Sequence, residues 1–431
     1  MSRLAGLARD TRAQYVIVNL LVNLLFIARS YVFMLVLDYR ELGLVTLLQS
    51  IVLLLGLLQF GVLNGAYRLI LSAVSDERQQ IVDFVYSFVA MLGGVALVVA
   101  GVVLVFVARP EDGWIGVLGA IGGTAMLIRN WQTNQLIASQ HLTRLNTINL
   151  GSAFLSLAGF ALLDVSPIYA CAAVIVSQPI LFGISGWLFG DTLRMRRLRF
   201  APGLLRRIMA AGFILFLAGI LLQVNIQLER WYVTAALGVD ALGHLFLAIM
   251  VVTLLQLVPA ALDAIFLPSA VRAHDTGHSP SLRKVTRTYF YLLLGYVAVA
   301  AIALAFLAEP VLALLAPRYA PDLVYAYIIA PGALLLALSS AFTLVFKVLI
   351  RFRLLLFAYG SGTVLLSVVL GAAIWRGEPL SLDAVVTARS LALALTALLT
   401  IGGWWHLSRA HREFRLIDRD RSGKGDRDPA E

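Results

Sequence analysis

Apolar runs long enough to cross a lipid bilayer recur along this chain, separated only by short charged or turn-forming stretches. A spanning helix needs about 20 apolar residues, and about twelve runs qualify. Their cores lie near residues 14–37, 42–67, 81–108, 114–137, 146–163, 168–189, 208–236, 244–268, 288–308, 323–350, 354–375 and 384–407. The run at 146–163 is short and reads as tilted or shifted toward residue 142. Hydrophobic residues make up 60% of the 431 and charged residues 13%, against about 45–50% and about 25% in soluble globular proteins. The chain therefore reads as an all-α integral membrane protein. Basic residues precede the first run, as in a secretory leader, but that run is about 24 residues long against about 7–15 for a leader's apolar segment, so it reads as a permanent span.

The net charge of +10 invites a nucleic-acid reading, which its distribution removes. With the loops assigned alternately to two sides, 24 Lys and Arg fall on the side of both termini. Only Arg40, Arg109, Arg230, Arg318 and Arg376 fall on the other. Such asymmetry is the orientation signal of membrane proteins, and it places both termini in the cytoplasm. No nucleic-acid partner is needed. The outer loops are short, which leaves no room for an outer catalytic domain. After residue 407 the chain turns highly charged, SRAHREFRLIDRDRSGKGDRDPAE, and residues 408–431 read as a solvated, disordered cytoplasmic tail.

A self-similarity at an offset of 200 residues organises the rest. ARSYVFMLVLDYRELGLVTLLQSIVLLLGLL (residues 28–58) aligns without gaps on LERWYVTAALGVDALGHLFLAIMVVTLLQLV (residues 228–258). Leu42-Gly43 falls on Leu242-Gly243, Tyr31-Val32 on Trp231-Tyr232, and Arg29 on Glu229. Six spans per repeat is an even number, so both copies enter the membrane with the same orientation. They are then related by a pseudo-two-fold axis along the membrane normal, an arrangement found in transporters. The expected organisation is one six-helix lobe over 1–203 and a second over 204–407, with a cleft between them.

Arg29 is the misfit in the first span. It lies roughly 13 Å below the outer end of its helix, too deep to reach the surface easily. A charge at mid-membrane costs at least about 2.5–3.5 kcal/mol unless it faces protein or water. Asn19, Asn23 and Ser30 form a polar stripe beside it. The fourth span repeats the pattern with Arg129, Asn130, Gln132, Asn134 and Gln135, and the seventh ends in Gln223, Asn225, Gln227, Glu229 and Arg230. Two readings of Arg29 stand side by side: a buried ion pair with Glu229 clamping the lobes, and a cationic cavity wall in which Arg29 and Arg129 meet phosphate, whose oxygens match the guanidinium fork. The asparagines Asn19, Asn23 and Asn134 bond neighbouring helices or contact sugar. Glu229 and Arg230 are candidates for lobe pairing or ion coupling. Arg68, Lys347 and Arg389 lie near helix ends and read as interfacial.

No enzyme motif is present. The histidines sit at loops or span ends without metal-ligand spacing, His274 and His278 flank a loop-like Thr-Gly, and no phosphate-binding glycine loop occurs. No cofactor or metal is implied. Cys171 is the single cysteine and reads as a packing residue. Asp38 and Glu41, in a very short loop, are the nearest approach to a clustered acidic site.

Two segments carry a family resemblance: LGLVTLLQSIVLLLGLLQFGVLNGAYRLI (residues 42–70) and LGHLFLAIMVVTLLQLVPAALDAIFLPSAVRAH (residues 242–274). The first closes on a Gly-then-Arg turn, Gly61, Gly65 and Arg68, and the second carries Pro259 and Pro268. The chain resembles the polysaccharide or O-antigen (Wzx-like) flippases of the multidrug/oligosaccharidyl-lipid/polysaccharide exporter (MOP) superfamily. This resemblance implies a MATE-like alternating-access transporter of a bacterial inner membrane. Its substrate would be an undecaprenyl-pyrophosphate-linked glycan, its surroundings membrane lipid, and a glycan polymerase complex a possible partner. It also implies an arginine-bearing central cavity, although Glu229 stands where the first repeat has Arg29. The alternatives are a drug exporter of the same superfamily or of the major-facilitator type, a membrane glycan polymerase, ligase or glycosyltransferase, and an envelope scaffold. The loop SAVSDERQQ matches the major-facilitator pattern poorly.

Overall fold

The computed structural model describes residues 11–106, 113–275, 279–349 and 351–410. Residues 411–431 of the expected tail, Arg109 and His278 lie outside them, while 408–410 are helical. The described chain is helical throughout, with α1 (Thr11–Val36), α2 (Tyr39–Leu57), α3 (Val62–Ser72), α4 (Ser75–Phe106), α5 (Trp114–Ala138), α6 (Leu142–Ser156) and α7 (Pro167–Phe189). After an extended linker at 190–201 follow α8 (Pro202–Ala236), α9 (Val239–Asp275), α10 (Ser279–Leu315), α11 (Leu323–Val348), α12 (Phe352–Arg376) and α13 (Leu382–Ala410). Turns of 3₁₀ helix extend α6 over Leu157–Leu162 and precede α11 over Pro317–Asp322. Among the described residues, 10 helices are long and apolar enough to cross a membrane. Two more, α5 with 25 residues and α8 with 35, match them in length and carry polar clusters. The protein is a multi-pass membrane protein.

Local chemistry explains the boundaries. Asp38 accepts from the Glu41 backbone N–H at 2.7 Å and Glu41 accepts from the Asp38 N–H at 3.1 Å, a capping box that opens α2. That reciprocal bonding accounts for the acidic pair that the sequence left as a possible site. The run at 42–67 is broken: Phe60 and Gly61 have φ of 49° and 84°, so the chain kinks between α2 and α3. Gly61 tolerates this left-handed turn and lies so close to α8 that a Cβ would stand 2.9 Å from the Phe213 backbone. By contrast, α9 runs unbroken through Pro259 and Pro268. The Leu255 carbonyl, which loses its helical donor to Pro259, accepts from the Tyr296 hydroxyl at 3.1 Å.

Two lobes follow. The first packs α5 against α2, α4 and α7, with α1 on α6; the second packs α11 against α9, α10 and α13, with α12 on α8 and α13. Between lobes, α2 lies along α9, α3 along α8 and α1 along α9. The α2–α9 contact maps onto itself under the 200-residue shift. A Cβ on Gly43 would stand 2.0 Å from the Val239 carbonyl oxygen, and one on Gly243 would stand 2.0 Å from that of Tyr39. The sequence repeat is therefore a two-fold-like contact in space, and small residues let the backbones meet there. Phe33, Leu42 and Leu48 of the first lobe share a core with Phe246, Leu247 and Tyr319 of the second.

Candidate functional site

The polar residues inside the bundle fall into three groups. In the first lobe, Arg129 on α5 donates to Gln178 Oε1 on α7 at 3.3 Å and to Asn149 Oδ1 on α6 at 3.1 Å. Asn149 in turn donates to Asn19 Oδ1 on α1 at 3.3 Å, and Asn19 donates to the Tyr15 carbonyl. Four helices thus converge on one guanidinium, whose carbon also lies 5.3 Å from the centre of the Phe182 ring. Arg129 is half-buried, and its polar partners here are amide oxygens and the Met126 sulfur. Asn134 is half-buried farther along α5, while Asn23 is exposed.

Arg29 is 7% exposed, between the rings of Phe26 at 4.7 Å and Phe33 at 5.6 Å. It points into the first lobe, within electrostatic range of Cys171 on α7, and its Nε has no hydrogen-bond partner among the described residues. The expected pairing with Glu229 is not formed. Cation–π attraction supplies part of what a carboxylate would.

In the second lobe, Glu229 on α8 is buried against Arg389 on α13, with Oε2 and Nε 3.2 Å apart. Arg389 also donates through Nη1 to the Asn225 carbonyl and, at 2.5 Å, to Asn225 Oδ1. Asn225 donates to Thr363 Oγ1 on α12 at 3.1 Å. Arg389 is only 2% exposed, so it is no interfacial residue: depth along α13 placed it near the surface, but its side chain packs inward toward α8. Arg230 likewise belongs inside α8 and not to an outer loop; it is 7% exposed and its Nη1 lies 3.5 Å from Ser50 Oγ on α2, across the lobe boundary. Under the 200-residue shift, Arg230 sits one position beyond the counterpart of Arg29.

Where α1 meets α2, the lobes are joined by an aromatic and hydrogen-bonded latch that single-residue reasoning missed. The Tyr39 ring stacks on His244 with centroids 3.8 Å apart, and its hydroxyl donates to the Arg318 carbonyl at 2.8 Å. His244 Nδ1 lies 2.7 Å from Asp322 Oδ1. Arg318 and Tyr319 both donate to the Leu37 carbonyl. The only legible signal was the closeness of Tyr39 and His244 to the aligned Leu-Gly pairs.

Comparison with solved structures gives this arrangement its fold. An inward-facing multidrug-resistance MATE-family transporter of the MOP superfamily superposes with a TM-score of 0.69 at 13% identity, covering 92% of this chain and 99% of that one. The chain has the MOP-transporter fold. The lipid II flippase MurJ, in an inward closed conformation, gives 0.66 at 12% identity over 90% of this chain and 87% of the flippase. A MOP superfamily transporter from Pyrococcus furiosus, described as having a binding pocket of reversed polarity, gives 0.54 at 14% identity over 94% and 98%. No protein-family model matches the sequence, and no curated protein matches it significantly. Within the MOP fold, Arg29 and Arg230 lie on the paired first helices of the two lobes.

Proposed function

We propose that this protein is a flippase for an anionic lipid-linked oligosaccharide, a polyprenyl-pyrophosphate glycan, moved across a bacterial inner membrane by alternating access. The observation that carries the reading is the charge balance of the bundle interior. Among the described residues, four guanidinium groups, Arg29, Arg129, Arg230 and Arg389, lie within the spanning helices with one carboxylate near them, Glu229, which Arg389 engages; the other buried carboxylates, Asp83 and Asp322, are taken by the linker backbone and by His244. Unbalanced positive charge in a membrane is costly and marks substrate paths, and guanidinium suits phosphate. Arg29 and Arg230, each with an unpartnered Nε and each on the first helix of its lobe, are the groups best placed to meet a diphosphate as the lobes part. The Arg129 amide cluster supplies hydrogen-bonding groups suited to sugar.

Glu229 reads as a structural counter-charge and not as a coupling carboxylate, because Arg389 already occupies it. Both termini face the cytoplasm in this reading, so the Tyr39–His244 latch closes the outer side. The reading involves no catalytic step, and a polymerase partner has no structural support. A strain lacking the protein should accumulate undecaprenyl-linked glycan on the cytoplasmic leaflet, and complementation with Arg29→Ala should leave that accumulation in place. Normal glycan export without the protein would contradict the proposal.

A further inference from the structure

The linker between the lobes is held as a strap: Thr192 is buried, Leu193 packs on the first-lobe core, Arg194 lies on Trp187, and the side chains of residues 195–200 are exposed. Four side chains fix its backbone: Gln135 Oε1 accepts from the Leu193 N–H at 2.8 Å, Gln79 Nε2 donates to the Arg194 carbonyl at 2.8 Å, Asp83 Oδ1 accepts from the Arg196 N–H at 2.7 Å, and Ser87 Oγ accepts from the Arg199 N–H at 2.9 Å. Asp83 and Ser87 are buried on α4, so the anchoring is built into the first lobe. What the strap presents outward is Arg196, Arg197 and Arg199 interleaved with Leu198 and Phe200, which are 72% and 61% exposed. None of these three arginines is paired with a carboxylate among the described residues. Asp191, the one acidic residue of the linker, is taken by Arg144.

Exposed leucine and phenylalanine beside unpaired arginine suits neither bulk water nor the hydrocarbon core. It suits the headgroup layer, where apolar side chains enter the acyl boundary and basic ones meet phosphate. Because the strap joins two spanning helices, it lies at that layer in any orientation of the protein. We infer that residues 194–200 form a docking surface for anionic phospholipid headgroups. A lipid bound there would contact a segment fixed to the first lobe whose far end runs directly into α8 of the second. This inference rests on the membrane-spanning fold and not on the identity of any transported substrate.

The test uses the full-length protein in detergent, titrated with short-chain phosphatidylglycerol, phosphatidylcholine or inorganic pyrophosphate. Wild type should bind phosphatidylglycerol in preference to phosphatidylcholine. The triple variant Arg196→Gln, Arg197→Gln, Arg199→Gln should lose about a hundredfold in affinity, from roughly fivefold per arginine. Leu198→Ser with Phe200→Ser should weaken binding with no change in its salt dependence. Thermal midpoints in phosphatidylcholine micelles should match wild type for all variants, showing intact folding. Equal binding of the two lipids, or pyrophosphate binding without phosphatidylglycerol binding, would overturn the inference.

Discussion

Glu229 is ion-paired with Arg389 within its own lobe, Oε2 and Nε lying 3.2 Å apart, and Arg29, which aligns with it in the repeat, has no carboxylate partner among the described residues. Glu229 thereby serves Arg389 directly and lies within electrostatic range of Arg230, whereas Arg29 and Arg129 of the first lobe have no ion-pair partner among the described residues. Breaking a buried pair on one side strands a charge at a cost of about 3–5 kcal/mol, whereas replacing both members is often neutral. Glu229→Gln and Arg389→Met should each lower the thermal midpoint of the purified protein strongly, and the double variant should recover most of the loss. Additive losses would show that the pair is not the unit.

In the proposed function, Arg29 and Arg230 meet the substrate. Arg29→Ala and Arg230→Ala should abolish glycan export while leaving protein abundance in the membrane near wild type. Lysine should restore only part of the activity, since it cannot bond two oxygens in the fork geometry. Export assays with quantitative immunoblotting provide the measurement, and full activity in Arg29→Ala would contradict the assignment.

Gly43 and Gly243 have no room for a side chain: the nearest backbone oxygen would stand 2.0 Å from an added Cβ in both cases. Gly43→Ala and Gly243→Ala must push α2 and α9 apart, with overpacking costs of about 1–3 kcal/mol each. The two substitutions strain one contact, so the double variant should cost less than the sum. Thermal unfolding of the four proteins measures the coupling; strict additivity would mean that the two contacts are independent.

The latch of Tyr39 on His244 should control access beneath it. Ser50 is fully buried below that end, so a cysteine introduced there by Ser50→Cys should label slowly with an impermeant thiol reagent. Tyr39→Ala removes an aromatic contact worth about 0.5–1.5 kcal/mol and should speed labelling several-fold. An unchanged rate would place the closure elsewhere.

The spans and the repeat were legible because bilayer thickness and a repeated Leu-Gly opening leave direct marks on sequence. Direction around a helix was less so. Arg389 was read by depth as interfacial, and only the packing of α13 against α8 shows that it turns inward to Asn225 and Glu229. The break at Phe60-Gly61 was hidden inside an apolar run, since hydropathy does not register φ. No sequence pattern marks Asp83 as an anchor, because the group it holds is a backbone N–H, that of Arg196, distant in sequence.

The most direct test is flipping in vitro. The purified protein is reconstituted in liposomes containing a fluorescent polyprenyl-pyrophosphate oligosaccharide, and the fraction of glycan open to a membrane-impermeant lectin is followed with time. The account predicts that the inner-leaflet pool becomes accessible with wild-type protein and stays sealed with Arg29→Ala. An accessible fraction equal to that of protein-free liposomes, from protein that exports cationic drugs across the same vesicles, would contradict it.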